Sequence, residues 1–395
     1  MSASVYVHFP YCLAKCPYCD FVSYAMPRDA IDHAGYADAV LRELDARARA
    51  WSSASPGPRI GSVFFGGGTP SLWEPRELGR VLAAIRARFD LEGDVEVTVE
   101  CNPTSLDQAR ARALVDAGVD RLSIGTQSLR ASELQYLGRL HDPDGALASI
   151  DAAIAAGVPR VSTDLIFGLP DQTAEDARAQ ALALADRGLL HLSCYQLTIE
   201  PGTRFGELAR RGRLPLADDG RVAEAFLAID EALAARGLAH YEISNYAREG
   251  HEARHNLAYW RGDEYLGLGC GAYGFVRRDG AAVRYRNAID PARYMDHTRS
   301  VRADAVGEGD GLSASSEALD GETLLRERIM LGLRVAGGLD LNAAGRELGV
   351  DPWPDERAKS AERLVARGRL ERRGGVIAIP PREWLFADDT AARLF

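Results

Sequence analysis

Lysine is almost missing from this chain. Of its 47 basic residues only Lys15 and Lys359 are lysines, so arginine supplies the other 45. Schiff-base chemistry, which needs a lysine amine, is correspondingly disfavoured. No apolar run approaches the ~20 residues of a membrane helix, which argues against an integral membrane segment. Residues 1–11 lack the charged and apolar regions of a signal peptide. An excess of positive charge is also lacking. The 57 acidic residues outnumber the basic ones and leave a net charge of −10, which disfavours a general nucleic-acid binder. Evenly paired cysteines are absent too. Cys101, Cys194 and Cys270 stand singly in apolar surroundings, a pattern of reduced, buried thiols. These absences together lead us to expect a cytoplasmic protein without nucleic-acid partners.

The other three cysteines are concentrated in eight residues, Cys12-x-x-x-Cys16-x-x-Cys19. An odd cluster in one loop cannot pair off as disulfides. Thiolate sulfur favours an iron–sulfur cluster, zinc or Cu(I). A 4Fe-4S cubane takes one ligand per iron, so a loop with three thiolates leaves one iron open for a small molecule. The alternative at this point is a structural zinc site with His8 as a fourth ligand.

From residue 4 to 237 the chain alternates strand-like and helix-like segments. Strands are expected at Ser4–Phe9, Ser62–Phe65, Asp94–Glu100, Arg121–Gly125, Arg160–Phe167 and Leu190–Leu197, with helices between them. Gly118, Gly157, Gly188 and Gly237 follow helices where a C-terminal glycine belongs. This order predicts an α/β fold, a parallel sheet of about six β/α units. Active sites of such sheets lie beyond the C-terminal strand ends, where the unusual residues fall. They are the cysteine loop, the Gly66-Gly67-Gly68-Thr69-Pro70 run, Glu100, Gln127 and Gly168-Leu169-Pro170.

The glycine run offers backbone amides to a small polar ligand, or else a tight turn under the cysteine loop. Glu100, at a strand tip opposite the valines, suits ribose hydroxyls. Asp164, inside an apolar run, needs a partner, for which Arg139 is a candidate. His255-Asn256-Leu257-Ala258-Tyr259-Trp260 combines a histidine, a ready haem ligand, with flat aromatic faces. An ordinary packed turn is the other reading. Residues 238–306 extend the barrel domain of residues 1–237 and carry this motif. Residues 307–321 read as a linker. Residues 322–395 read as a small winged-helix-like domain with helices near 322–335, 340–348 and 354–367 and a hairpin turning at Gly374-Gly375. Its 13 basic and 13 acidic residues between 320 and 395 give it no DNA-binding footprint.

With the cysteine triplet and the glycine run, the chain resembles the radical S-adenosylmethionine (SAM) family. It is most similar to the group built on the oxygen-independent coproporphyrinogen III oxidase. Tyr6-Val7-His8-Phe9-Pro10, Gly125-Thr126-Gln127-Ser128 and Asp164-Leu165-Ile166-Phe167-Gly168-Leu169-Pro170 match that group's segments. The resemblance implies a partial (β/α)6 barrel. It implies a 4Fe-4S cluster on Cys12, Cys16 and Cys19, with SAM on the open iron and contacts at Tyr6, Gly67 and Glu100. Contacts of a second SAM would fall at Tyr18, Gly68, Thr69, Gln127, Arg139, Asp164 and Thr198.

The chain departs from the oxidase at Phe21, which stands where the oxidase has a fourth cysteine. It also has only eleven residues before Cys12, and it carries His255-Asn256-x-x-Tyr259-Trp260. These features resemble the oxidase's sister family of haem chaperones. That resemblance implies haem as a ligand at His255, Asn256, Tyr259 and Trp260, and acceptor haem proteins such as respiratory enzymes and bacterioferritin. A homodimer is compatible with it. The alternative function is radical SAM decarboxylation of a porphyrinogen, and a more distant one is a zinc protein.

Overall fold

The computed structural model describes residues 2–51, 58–278, 281–301, 307 and 310–395. In the barrel half the elements alternate as β1 (Ser2–Phe9), α1 (His33–Trp51), β2 (Arg59–Gly67), α2 (Pro75–Arg88), β3 (Leu91–Cys101) and α3 (Gln108–Asp116). They continue as β4 (Arg121–Gln127), α4 (Ala131–Tyr136), α5 (Pro143–Ala155), β5 (Arg160–Phe167), α6 (Ala174–Ala185), β6 (His191–Gln196), α7 (Arg204–Arg210) and α8 (Asp219–Ala234). Strands β1 to β6 pair in sequence order and all in parallel. This is the expected partial (β/α)6 barrel.

Local chemistry explains the boundaries. Asp107, Asp142 and Asp218 accept from backbone N–H groups at the starts of α3, α5 and α8. Thr173 and Asp176 form a capping box on α6. Gly118, Gly157, Gly188 and Gly237 all adopt positive φ just past their helices. Strand alternation then sorts the side chains. Val5, Val7, Phe9, Val63, Phe65, Val97, Val99, Leu122 and Ile124 are buried in the main core cluster. The intervening positions carry Ser4, Tyr6, His8, Ser62, Glu96, Thr98 and Glu100, and this polar set lines the barrel interior.

Beyond the barrel follow β7 (Ala239–Glu242), β8 (Asn245–Ala247), α9 (Arg254–Arg261), β9 (Tyr265–Leu268), β10 (Tyr273–Arg278), β11 (Ala281–Asn287) and α10 (Pro291–His297). Strand β9 pairs in parallel with β1 on the side away from β2, and β10 and β11 continue the sheet antiparallel. On the far edge, β8 pairs antiparallel with β6, and β7 pairs antiparallel with β8 at the outside.

One expectation fails here. The span 307–321, read as a linker, contains strand β12 (Ser313–Leu319), which pairs with β11 and sets Tyr285 opposite Ser316. Its Ser-rich composition misled because an edge strand with a largely solvated face needs few apolar residues. Asp310 fastens its start, accepting from the N–H groups of Leu312 and Ser313 and pairing with the buried Arg47. Residues 308–309 of that span, and 279–280 and 302–306 of the extension, lie outside the described residues.

The C-terminal unit holds α11 (Gly321–Gly332), β13 (Leu339–Asp340), α12 (Leu341–Leu348), α13 (Asp355–Ala366), β14 (Glu371–Arg373), β15 (Val376–Ala378) and α14 (Ala387–Ala392). Its sheet order is β13-β15-β14, with Gly374 at positive φ in the hairpin turn. The unit is bonded to the barrel through Ile243 N–H to Arg334 O and Ala336 N–H to Tyr241 O. Trp384, fully buried, meets His240 edge-on at 4.4 Å.

Candidate functional site

The cysteine loop leaves the C-terminal end of β1 and is held by a short pairing of Tyr11–Cys12 with Tyr24–Ala25. Each of the three thiols has its own side-chain neighbour. Thr69 Oγ1 donates to Cys12 Sγ at 3.4 Å, Arg139 Nη1 donates to Cys16 Sγ at 3.4 Å, and Ser23 Oγ lies 3.9 Å from Cys19 Sγ. Burial pushes the Cys12 thiol up to about 11, and burial also raises Cys19. Such thiols keep their protons until a metal displaces them.

All three cysteines line one cavity of about 160 Å³, together with Tyr18, Gly67, Gly68, Thr69, Glu100, Gln127, Arg139 and Asp164. Among the described residues no three His, Cys, Asp or Glu side chains converge on a single-ion site. A cubane does not require that convergence, because its thiolates bind three different irons. The zinc alternative with His8 is contradicted directly. His8 Nε2 is bonded to Val22 O at 2.7 Å and Nδ1 to the Tyr6 hydroxyl at 2.9 Å.

The glycine run works mainly as a tight turn. Gly67 N–H donates to Glu100 Oε2, Gly68 N–H to Phe9 O and Thr69 N–H to Tyr11 O, so these amides are taken by the protein. Gly68 has no room for a side chain, since a Cβ there would lie 2.7 Å from Tyr11 O. The run therefore forms the floor on which the cysteine loop rests.

Glu100 is half-buried, and its carboxyl is pushed up to about 8 by burial first and the Asp164 charge second, against the Gly67 N–H bond. Asp164 is raised as well, chiefly by burial. The expected pairing of Asp164 with Arg139 is not the bonded one. Asp164 accepts from Ser123 Oγ at 3.1 Å, while Arg139 Nη2 donates to Gly125 O at 2.9 Å. Arg139 Nε is buried at this cavity without a hydrogen-bond partner. Gln127 adopts φ +65°, a conformation that favours glycine, where the β4–β5 register slips between Ile124 and Gln127.

This donor set fits the groups that the resemblance implies. Cys12, Cys16 and Cys19 would hold a 4Fe-4S cluster. Glu100, Gln127, Asp164 and the unsatisfied Arg139 Nε offer polar atoms to a bound SAM. When bound, the pair supplies a one-electron reductant beside a cleavable sulfonium.

Two expected contacts are not brought to this cavity. Tyr6 lies one layer below it, with its hydroxyl on His8, because successive inward positions of β1 stack along the barrel axis. Thr198 is exposed beyond the end of β6. Sequence reasoning also missed Ser123 and Asn102, which line the cavity. Ser123 was detectable as the inward residue two before Gly125 on its strand, whereas Asn102 carried no signal apart from following Glu100.

The second motif lies at the opposite end of the barrel. The backbone N–H groups of Arg254 and His255, at the start of α9, both face the Glu96 carboxylate at 3.3 Å. A carboxylate is favoured at a helix N-terminus, and here it pins α9 against the barrel floor. His255 is buried. Its Nδ1 is bonded to Ser62 Oγ at 2.9 Å, its ring stacks on Phe64 at 4.8 Å, and Tyr259 meets it edge-on at 4.9 Å. Burial lowers its pKa to about 3.

Tyr259 also faces the other way. With Tyr265, Tyr273 and Phe275 it lines a cavity of about 330 Å³ between the extended sheet and α11. Trp260 lies under the Arg334 guanidinium, 5.6 Å from its ring centroid. Asn256 is half-buried on the same helix. The four motif residues thus share one helix, but His255 and Tyr259 open onto different compartments.

Comparison with known proteins places these observations. Residues 6–182 match the Radical SAM superfamily and residues 319–386 the HemN C-terminal domain. The heme chaperone HemW of Escherichia coli (strain K12) is 39% identical over 306 residues, covering 76% of this chain and 79% of that protein. The heme chaperone HemW of Mycobacterium tuberculosis (strain H37Rv) is 34% identical over 385 residues, 97% of this chain and 92% of that protein. The mouse mitochondrial radical S-adenosyl methionine domain-containing protein 1 is 39% identical over 342 residues, 85% of this chain and 74% of its own. Among solved structures, the coproporphyrinogen III oxidase HemN from Escherichia coli, a radical SAM enzyme, superposes with a TM-score of 0.80 at 20% identity. That match covers 100% of this chain and 90% of the oxidase. At that identity the likeness establishes the fold alone. No helix among the described residues is long and apolar enough to cross a membrane.

Proposed function

This chain belongs to the HemW haem-chaperone family on the radical SAM scaffold, and from that premise we propose that it binds haem and hands it to haem proteins. The observation that carries this reading is the 34% identity to a haem chaperone along 97% of the chain. The family implies a 4Fe-4S cluster and SAM at the upper cavity, and the three thiols with their donors support that assignment. Phe21, more than half exposed, stands in place of a fourth thiol in the loop. Respiratory enzymes and bacterioferritin as acceptors, and a cytoplasmic setting, belong to the same proposal.

The test is anaerobic reconstitution followed by haem titration at the Soret band, then mixing with an apo-haem protein. Saturable haem binding and transfer to the acceptor are expected, with no decarboxylated product when coproporphyrinogen III, SAM and a reductant are supplied. A protein that takes up no haem, or that decarboxylates the porphyrinogen, refutes the reading.

A further inference from the structure

The cysteine loop has a back as well as a front. Cys16 and Cys19 line the inner cavity beside Glu100 and Asp164, and they also line an outer groove of about 650 Å³, whereas Cys12 lines the inner cavity but not the groove. These two thiols therefore form a wall between the ligand cavity and the protein surface. SAM bound on the inner side leaves the groove as the short route by which an electron reaches the cluster. The remaining cysteines, Cys101, Cys194 and Cys270, are scattered and buried, so they cannot hold a second cluster as a relay. The electron has to come from another molecule.

The groove is framed by the loop on one side and by α4 and α7 on the other. Pro17, Tyr136, Phe205 and Leu208 give it an apolar floor, with the Tyr136 and Phe205 rings 4.9 Å apart. Phe205 N–H donates to Pro17 O at 2.8 Å, which ties α7 to the cysteine loop. The Tyr136 hydroxyl donates to Pro215 O at 2.8 Å and draws in the segment after α7. Leu216, next in the chain, is 53% exposed. Leu140, two residues past Gly138 of the groove, is 61% exposed. Large apolar side chains left in water around one groove mark an interaction face.

The rim is basic in an acidic protein. Lys15, one of the two lysines, and Arg204 both line the groove. Between residues 200 and 216 four arginines stand against Glu200 and Glu207, a local excess of two positive charges in a chain of net charge −10. Asp20 offsets Lys15 on the loop. Arg210 and Arg211 share Glu207. Arg204 and Arg213 are exposed and make no ion pair among the described residues. Unpaired guanidiniums around an apolar floor steer and orient an acidic partner.

We propose that this groove is the docking face of an acidic one-electron carrier flavoprotein, which seats the exposed edge of its flavin against Tyr136 and Phe205 behind Cys16 and Cys19. The reduced flavin gives up one electron and keeps its proton, the cluster takes that electron, and no covalent bond changes. The flat aromatic lining is what suits a flavin edge. The proposal rests on the cluster assignment made above and is independent of the haem cargo.

The test uses the full-length protein, reconstituted anaerobically, with an acidic flavodoxin in its hydroquinone form as the probe. Bleaching of the cluster's visible absorbance gives the rate of reduction. Calorimetric binding of oxidised flavodoxin to the metal-free protein reads docking without any electron transfer. Photoreduced deazaflavin, a small uncharged reductant, reports on the cluster itself. Arg204→Glu combined with Arg213→Glu should slow reduction by flavodoxin about tenfold or more at low salt and weaken its binding, with the difference shrinking at high salt. Leu208→Asp, in the floor, should slow it by about tenfold at both salt levels. Deazaflavin should reduce all three proteins within about twofold of one another. Variants that flavodoxin binds and reduces as readily as the parent overturn the docking face. Slowing shared equally by deazaflavin overturns it too, because the effect then lies at the cluster. So does a parent that deazaflavin reduces and flavodoxin does not. A chain that takes up no iron and sulfide refutes the cluster assignment instead, and flavodoxin binding to the metal-free variants still decides the face.

Discussion

Gly67 is the position where backbone conformation and space combine most strictly, and Gly67→Ala is worked here in full. Its φ is +113°, a region that side chains rarely adopt. Holding a non-glycine residue there costs about 1–3 kcal/mol. An added Cβ would stand 2.6 Å from His8 Nδ1. The ring cannot retreat easily, because Tyr6 and Val22 hold both its nitrogens and it is 4% exposed. Overpacking against such a group adds about 1–3 kcal/mol. The sum, roughly 2–6 kcal/mol, is a large share of the 5–15 kcal/mol of a typical domain. Gly93→Ala is the control, since a Cβ there meets nothing within 4 Å. Urea unfolding of the metal-free protein should show the loss for Gly67→Ala and a change within about 0.5 kcal/mol for the control. SAM affinity of the reconstituted protein should fall as well, because the Gly67 N–H bond to Glu100 tilts with the backbone. A Gly67→Ala variant as stable as Gly93→Ala refutes the packing argument.

Two further outcomes follow from the same cavity. Arg139→Gln removes a buried cation and a hydrogen bond from Cys16; the reduction potential of the reconstituted cluster, read by an electron paramagnetic resonance titration, should move down by roughly 60 mV, and an unchanged potential counts against any contact between Arg139 and the cluster. Glu100→Gln tests the carboxyl raised from 4.5 to about 8. Between those values the unfolded chain releases its proton while the folded chain keeps it, so this group's stabilising contribution is present at low pH and lost as pH rises toward 8. The neutral variant should therefore gain on the parent between pH 5 and pH 9 by up to about 4 kcal/mol, and urea midpoints that differ equally at both pH values contradict the raised carboxyl.

Much of this architecture is legible in the sequence because strand alternation and helix caps are local. Valines at 95, 97 and 99 locate β3 and fix Glu100 on the opposite face, and Asp107, Asp142 and Asp218 locate three helix starts. Three cysteines and a glycine run at successive strand ends locate the upper cavity. The failures depend on depth and on long-range partners. Tyr6 and His8 share a strand face, and nothing in spacing says which of them reaches the ligand layer; the answer comes from Val22, fourteen residues from His8. Thr198 sits past the last strand residue, where a one-residue difference in strand end decides between cavity and solvent. His255 was legible as a notable residue but not as an enclosed one, because its enclosure depends on Glu96 and Ser62, far away along the chain. Strand β12 and helix α14 carry too few apolar residues to announce themselves.

The two cavities stand at opposite ends of one packed column. Gly67 lies over His8, His8 is bonded to Tyr6, the Tyr6 ring stacks toward His255 at 6.3 Å, and His255 meets Tyr259, which faces the lower cavity. Burial lowers His8 to about 4 and His255 to about 3, and it raises the Tyr6 and Tyr259 hydroxyls well above their ordinary range. Every member of the column is therefore neutral near pH 7. The two histidines take up protons on unfolding below their ordinary 6.5, so their share of stability falls as the solution is acidified from there toward about 3. Near neutrality nothing in the column titrates. An influence passing between the two cavities along it has to act through packing: a shift of the glycine turn pressing on His8, and through Tyr6 on the helix that carries Tyr259.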